Sequence, residues 1–297
     1  MMKIDGVVVL YGNSDDVLNN INSYIKELNK LYVVDNTPNR DIAKLFKSKK
    51  IEYVALGKNK GISYALNVGA KKAIEDGASW LLTMDQDSCF DKESFKKLIS
   101  HLKDIKKNGI KFNKKNISYE QIGILSPYHK VKFNNNHKQK SVLSPLVVMT
   151  SGNLVNLEAY KKVKGYNEDF FIDCVDFDFC FKLRDNGYEI LEFGDAKLNH
   201  GLGDIKEYSF LGKKLFVTNH NYIRRYYITR NRFYLNDLYK DKYPDYCRAE
   251  LHCTKMEFIK IWLYEKNKIK KTKAVLRGYF DYKKGVVGEY VEKNRKN

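Results

Sequence analysis

The feature that most constrains this chain is the alternation of strand and helix signals across its first hundred residues. An apolar run, Val7-Val8-Val9-Leu10, is followed by an amphipathic stretch at residues 15 to 29 and a second apolar run at residues 31 to 35. Residues 38 to 48, with Pro38 in the first turn, predict a short helix; residues 51 to 56 predict a strand, 62 to 76 a helix and 80 to 84 another strand. Repeated strand–helix–strand winding gives a mostly parallel sheet with helices on both faces, because a parallel neighbour is reached only by a long crossover. Ligands in such sheets bind beyond the carboxyl ends of the strands, so polar residues there are the first candidates for function.

Residues 103 to 140 turn rich in Lys and Asn, with few apolar anchors at 110 to 117 and 133 to 141, and read as surface excursions. A strand at residues 146 to 150, a helix near 157 to 163 and a helix at 175 to 186, ended by Gly187, follow. The last 43 residues carry 13 Lys or Arg against 5 acids, net +8, interleaved with Phe258, Ile259, Trp262, Leu263, Leu276 and Phe280. This predicts a basic amphipathic helical extension over 236–297, after a domain over 1–235 whose halves meet between about residues 100 and 120.

Composition narrows the class. With 297 residues, 43% hydrophobic and 30% charged, the chain is globular rather than disordered or fibrous. No run of 18 uncharged apolar residues is present, and the start leads directly into a strand, so neither a membrane span nor an export signal is expected. Five cysteines without paired metal spacing suggest free thiols in a reducing cytoplasm. A net charge of +18 attracts polyanions of any kind, from phosphate-rich ligands to an anionic membrane or nucleic acid.

Asp85-Gln86-Asp87 follows an apolar strand, which places two carboxylates where a cation bridging phosphates could be held. Asp35 ends the second strand, and Asn59-Lys60-Gly61, with Asn67 beyond it, forms a loop entering a helix that lets backbone approach a nucleotide. Further on lie Thr150-Ser151-Gly152-Asn153, then Phe170-Phe171-Ile172-Asp173 leading to Asp176, and His200 beside Gly201 and Gly203. Asp in turns and acids in a helix's first turn are common for purely local reasons, and a lone Asp-x-Asp is a weak signal.

Taken together, Leu82-Thr83-Met84-Asp85-Gln86-Asp87-Ser88, the run from Phe170 to Asp176, and Arg225-Tyr226-Tyr227-Ile228-Thr229-Arg230-Asn231-Arg232 resemble the inverting glycosyltransferases of family 2, most closely bacterial rhamnosyltransferases. The resemblance covers roughly residues 4 to 235 and implies an α/β A-type glycosyltransferase fold. It implies that Asp35, Asn59 and Gly61 line the nucleotide pocket, that Asp85 meets the ribose, and that Asp87 and His200 hold Mn²⁺ or Mg²⁺ on the donor diphosphate. Asp176 matches the general base. Ser151, Gly152, Asp173, Arg225 and Arg230 are the candidate acceptor or diphosphate contacts. Gln86 stands where many relatives carry a third acid.

The implied reaction moves a sugar, L-rhamnose from dTDP-rhamnose, onto a hydroxyl of a lipid-linked cell-surface glycan, at the inner face of a bacterial plasma membrane. A UDP-sugar donor carrying galactofuranose, glucose or N-acetylhexosamine is the alternative. The extension then docks on anionic lipid, builds a homodimer, or packs as a cap. A nucleic-acid-binding protein is the distant alternative, disfavoured because no RNP-like, zinc-finger or helix-turn-helix signature accompanies the charge.

Overall fold

The computed structural model describes residues 2–13, 16–130, 142–201, 205–210 and 213–292. The chain forms two compact units, one of Met1–Asn167 with Asp176–Gly201 and the other of Glu168–Val175 with Leu202–Asn297.

The first unit opens with β1 (Ile4–Leu10), α1 (Val17–Asn22), β2 (Leu31–Asp35), β3 (Ile51–Ala55), α2 (Ile62–Glu75) and β4 (Trp80–Asp85). There follow β5 (Ser88–Phe90), α3 (Ser94–Asn108), the short hairpin β6 (Ile110–Phe112) and β7 (Lys115–Ile117), then β8 (Ile122–Lys130), β9 (Val142–Leu143), β10 (Asn153–Asn156), α4 (Leu157–Lys162), α5 (Val175–Asp185) and β11 (Glu189–His200). The main sheet runs β3-β2-β1-β4-β10-β8-β11-β5, with β9 beside β11. β1 is buried along its whole length between parallel β2 and β4, the expected fate of a continuous apolar run. α2 lies so close over it that a Cβ on Gly69 would stand 2.3 Å from Val7 Cγ2, so only glycine fits there.

Two expected elements are shorter than read. Residues 38 to 48 make only a 3₁₀ turn at Ala43–Leu45, because Asn39 takes a left-handed backbone (φ 52°) and Arg40 is drawn to Asp35. The stretch at residues 15 to 29 is helical only over α1, with a 3₁₀ turn at Ile25–Glu27.

Residues 103 to 140 correct the reading as surface excursions where they are described. α3 buries Phe95, Leu98, Ile99, Leu102 and Ile105 on one stripe and runs to Asn108, and β8 is an inner strand buried up to Lys130. Gly123, Ser126, Pro127 and His129 hide that strand from hydropathy. Pro127, which has no N–H for a ladder, sits where the β8–β11 register shifts. No strand forms at residues 146 to 150; Gly152, at φ 85°, turns the chain first and β10 begins after it. Asp15, residues 133 to 141 with His137, Leu202 and Gly203, residues 293 to 297 and the side chain of His200 lie outside the described residues.

The second unit holds the segment Glu168–Val175, a hairpin of β12 (Lys206–Phe210) and β13 (Lys213–Val217), and α6 (Tyr222–Tyr239), α7 (Pro244–Tyr264) and α8 (Lys268–Lys283). The expected boundary after residue 235 falls inside α6. α6 belongs with α8 because Gly278 lets the two backbones meet: a Cβ there would lie 2.6 Å from the Tyr226 carbonyl oxygen.

Candidate active site

The ends of β1, β2 and β4 lie side by side, Leu10 beside Asp35 and Val9 beside Asp85 in register. Asp35 is fully buried there. Burial alone would raise its carboxyl, but Arg40, Thr37 and Tyr53 outweigh this and hold it below the usual carboxylate range. Arg40 forks onto both oxygens at 2.7 and 2.9 Å, the Thr37 amide donates at 2.9 Å and the Tyr53 hydroxyl at 2.8 Å. Arg40 also donates to the Gly12 carbonyl, which fixes the loop after β1. Neither Arg40 nor Tyr53 was a sequence candidate, since nothing local marks an arginine five residues on as a carboxylate's partner.

The loop before α2 is tied to the same edge. Asn59 Oδ1 accepts from Asn36 Nδ2 at 2.9 Å and from the Gly61 amide at 3.0 Å, while Asn36 Oδ1 accepts from the Lys60 amide at 2.7 Å. Gly61 caps α2 at φ 87°, a conformation a side chain would resist. Asn67 points the other way: its amide is spent on Tyr160 and on the Tyr166 backbone in the interior, so it is a packing residue.

The Asp85-Gln86-Asp87 turn joins β4 to β5. Gln86 exchanges hydrogen bonds with the Tyr11 backbone, accepting at 3.0 Å and donating at 2.9 Å, and its own carbonyl accepts from Asn20 at 2.8 Å. The residue that interrupts the two acids is thus what fastens them to the end of β1. The Asp85 amide donates to Ser151 Oγ at 3.1 Å. β5 pairs with the end of β11, Ser88 opposite His200, and Asp87 Oδ2 lies 3.1 Å from where a Gly201 Cβ would stand. Asp87 and the His200 backbone are therefore neighbours across this ladder. Among the described residues no group of three His, Cys, Asp or Glu side chains gathers.

Ser151 and Gly152 are built in rather than displayed. Ser151 is buried, and its carbonyl bonds the buried His129 ring at 2.7 Å; Gly152 donates to the Thr83 carbonyl at 2.7 Å, and a Cβ on it would press Pro127 at 2.7 Å. His129 belongs to the support of Ser151, and nothing in its sequence surroundings marks it.

Asp176 sits half-buried in the first turn of α5, where the helix dipole favours an acid, and accepts from the Phe177 amide at 3.0 Å. Tyr166, wholly buried and bonded to Thr83 in β4, is pushed well up, by burial first and in part by the Asp176 charge. Asp176 is thus near enough to β4 to be felt there. The neighbouring Asp178 faces inward, 3.7 Å from Lys182.

The segment before α5 belongs to the second unit and is unusual in its backbone. Phe171, Asp173 and Cys174 all have φ near 63° without being glycine. Each such residue costs about 1–3 kcal/mol, so surrounding bonds must hold it. Asn231, fully buried, donates its amide to the carbonyls of Phe170, Ile172 and Asp173 at 2.7, 2.6 and 3.0 Å, and Arg230 reaches the carbonyls of Asp169, Phe170 and Gly288. Arg224 pairs with Asp173 at 3.1 Å; burial pushes that carboxyl up while Arg224 pulls it down.

The candidate phosphate contacts Arg225 and Arg230 are 2% and 0% exposed. Arg225 pairs with Glu257 and Glu265, and Arg230 spends its guanidinium on the backbone, so their charge is used inside the second unit, because α6 turns this face toward α7 and α8. Asn231, beside them in sequence, was missed; an Asn between two arginines carries no signal of its own.

The sequence profile described as Glycosyl transferase family 2 matches residues 7–163. The chain is 29% identical over 301 residues to the dTDP-rhamnosyl transferase RfbF of Shigella flexneri, covering 96% of this chain and 97% of that one. Among solved structures, S. aureus TarS resembles it with a TM-score of 0.58 at 14% identity over 96% of this chain, and this chain spans 49% of that one. TarS 1-349 in complex with UDP-GlcNAc gives 0.57 at 15% identity, over 96% of this chain and 82% of that one. GalNAc-T7 with UDP, GalNAc and Mn²⁺ gives 0.54 at 12%, over 71% of this chain and 44% of that one. These structural likenesses are likenesses of fold.

Proposed function

Because the chain belongs to glycosyl transferase family 2 and has the A-type fold of its solved relatives, we infer that this glycosyltransferase moves L-rhamnose from dTDP-rhamnose, with inversion, onto a hydroxyl of a lipid-linked glycan at the inner face of a bacterial plasma membrane. The observation that carries this reading is the end-to-end similarity to a dTDP-rhamnosyl transferase. The position of Asp85 and Asp87 at the carboxyl end of β4 is consistent with it.

In this reading the nucleotide lies across the ends of β1, β2 and β4. The fixed Asp35 carboxylate and the Asn59–Gly61 loop meet the base, and Asp85 meets the ribose. Asp87 and His200, neighbours where β5 pairs with the end of β11, would hold a divalent cation, Mn²⁺ or Mg²⁺, by an oxygen and a nitrogen donor of the kinds these ions accept. When bound, that cation neutralises charge on the departing diphosphate. The Asp176 carboxylate takes the proton of the acceptor hydroxyl as its oxygen attacks the anomeric carbon and the bond to the diphosphate breaks on the opposite face. Diphosphate is a good leaving group, so no second carboxyl is needed to protonate it. Ser151 and Gly152 hold the Asp85 end of β4 in place.

Thermal stabilisation by dTDP, UDP, GDP and CDP, with Mn²⁺ or with chelator, tests the donor site. A ligand at a hundred times its Kd adds about 2.7 kcal/mol. Metal-dependent stabilisation by dTDP above the others, lost in Asp87→Ala, is expected. A preference for UDP would replace the donor with a UDP-sugar, and no response to any nucleotide would overturn the assignment of the site.

A further inference from the structure

α7 and α8 present an apolar face that the interior of their unit does not use. A groove of about 410 Å³ runs between α6, α7 and α8, lined by Phe233, Phe258, Ile259, Val275, Leu276 and Tyr279. Around it Trp262 and Leu263 on α7, and Ile269 and Phe280 on α8, stand exposed. Their spacings, 259-262-263 and 269-276-280, keep each set on one side of its helix. A cluster of this kind exceeds the scattered apolar residues of an ordinary surface and marks a contact site.

Charge identifies the partner. The three acids between residues 255 and 284 all turn inward: Glu257 to Arg225 and Arg232, Glu265 to Arg225 and Lys271, Asp281 to Tyr226 and Arg277. Lys255, Lys266, Lys270, Lys273, Lys283 and Lys284 stay exposed; of these Lys283 is felt by the Asp237 carboxylate at the end of α6. Folding thus sorts a mixed stretch into a neutralised inside and a predominantly cationic outside around apolar side chains. A second copy of the chain meeting this face about a two-fold axis would bring lysines against lysines. A bilayer with anionic headgroups complements both components at once.

We propose that the α7–α8 face docks on an anionic lipid bilayer, with the α6–α7–α8 groove receiving a lipid hydrocarbon chain. No helix among the described residues is long and apolar enough to cross a membrane, so the contact is with one leaflet. The proposal deepens the lipid-linked acceptor reading, yet lipid binding is read without turnover, so either can fail alone.

The full chain offers its own probe: Trp262 lies on this face and is 47% exposed, whereas Trp80, the other tryptophan, is 1% exposed in the first unit. Vesicles of phosphatidylglycerol and phosphatidylethanolamine should blue-shift Trp262 emission, and brominated acyl chains should quench it; phosphatidylcholine vesicles should do neither. Each Lys→Ala change at 255, 273 or 283 should weaken partitioning about five-fold, and all three together about a hundred-fold. Leu276→Glu, at an exposed position that leaves the fold intact, should abolish quenching while far-UV circular dichroism is unchanged. Dihexanoylphosphatidylglycerol below its micelle concentration should slow the reaction of the Leu276→Cys variant with a thiol reagent if the groove takes a chain. Equal binding to neutral vesicles, an unresponsive Trp262, no lipid protection of the Leu276→Cys thiol, or a concentration-dependent dimer that hides Trp262 would each overturn the proposal.

Discussion

The two units solve the burial of polar groups in opposite ways. In the first, an apolar cluster runs from Ile4 to Leu198, interrupted by the buried Asp5 of β1, and polar side chains at the strand ends bond backbone: Gln86 to Tyr11, Asn59 to Gly61, Ser151 to Asp85. In the second, charge itself is interior: Arg225, Glu265 and Lys271 are all buried and paired, with Glu257 and Arg232 continuing the network. Apart from the Arg40–Asp35 pair, neutral side-chain-to-backbone bonds fix the loops of the first unit. Buried ion pairs lock helices together but leave no charge over for chemistry.

The largest expected effect lies on the chemical side of that contrast. Asp176→Asn removes the proposed base while keeping shape, and kcat should fall about 10²–10⁴-fold with nucleotide binding unchanged by thermal shift. Unreduced turnover would refute the base assignment. In the second unit the comparable loss is in stability: Glu265→Gln leaves buried Lys271 without a counter-charge and Arg225 with Glu257 alone, and should cost about 3–5 kcal/mol in urea unfolding. A cost below about 1 kcal/mol would mean that the network is solvated, and the contrast between units would collapse.

The same contrast explains what the sequence disclosed. Strand–helix periodicity is local, so β1 to β4 and α2 were legible, and with them Asp35, Asp85 and Asp87 as strand-end residues. β8 was not, because its burial comes from neighbours far away in sequence, and Ser126, Pro127 and His129 interrupt its apolar pattern. The arginines of α6 were visible as charge, but whether Arg225 faces a phosphate or Glu265 depends on a helix 40 residues on. Asn231 and Arg40 were invisible for the same reason: their partners are carbonyls or a carboxylate in other segments.

Intermediate effects sharpen the picture of the first unit. Gly152→Ala forces a side chain into φ 85° and against Pro127 and Leu198, and should cost about 1–3 kcal/mol. Asp35→Asn should destabilise by about 1–3 kcal/mol at neutral pH, as its charge-assisted bonds weaken. The sign follows from its lowered carboxyl: the stabilisation is present above the unfolded value of 3.8 and disappears as pH falls through the lower folded value. Wild type and Asp35→Asn should therefore begin to converge in stability as pH falls below about 4 and meet only below the folded value. Persistence of the gap in acid would assign it to shape rather than charge.

The smallest effect separates fastening from charge within one turn. Gln86→Glu keeps an acceptor for the Tyr11 amide at the cost of the donor to its carbonyl, and it adds a third negative charge between Asp85 and Asp87. If Gln86 acts as a fastener, the variant loses one partly exposed hydrogen bond, about 1 kcal/mol, and nucleotide affinity falls about five-fold at any Mn²⁺ concentration. If charge at this turn matters more, the added carboxylate strengthens cation binding and affinity rises with Mn²⁺. Titrating dTDP against the variant at low and at saturating Mn²⁺ tells the two apart. A metal-independent loss is expected, because Gln86 faces the end of β1 on both sides of its amide and Asp87 alone stands exposed toward Gly201.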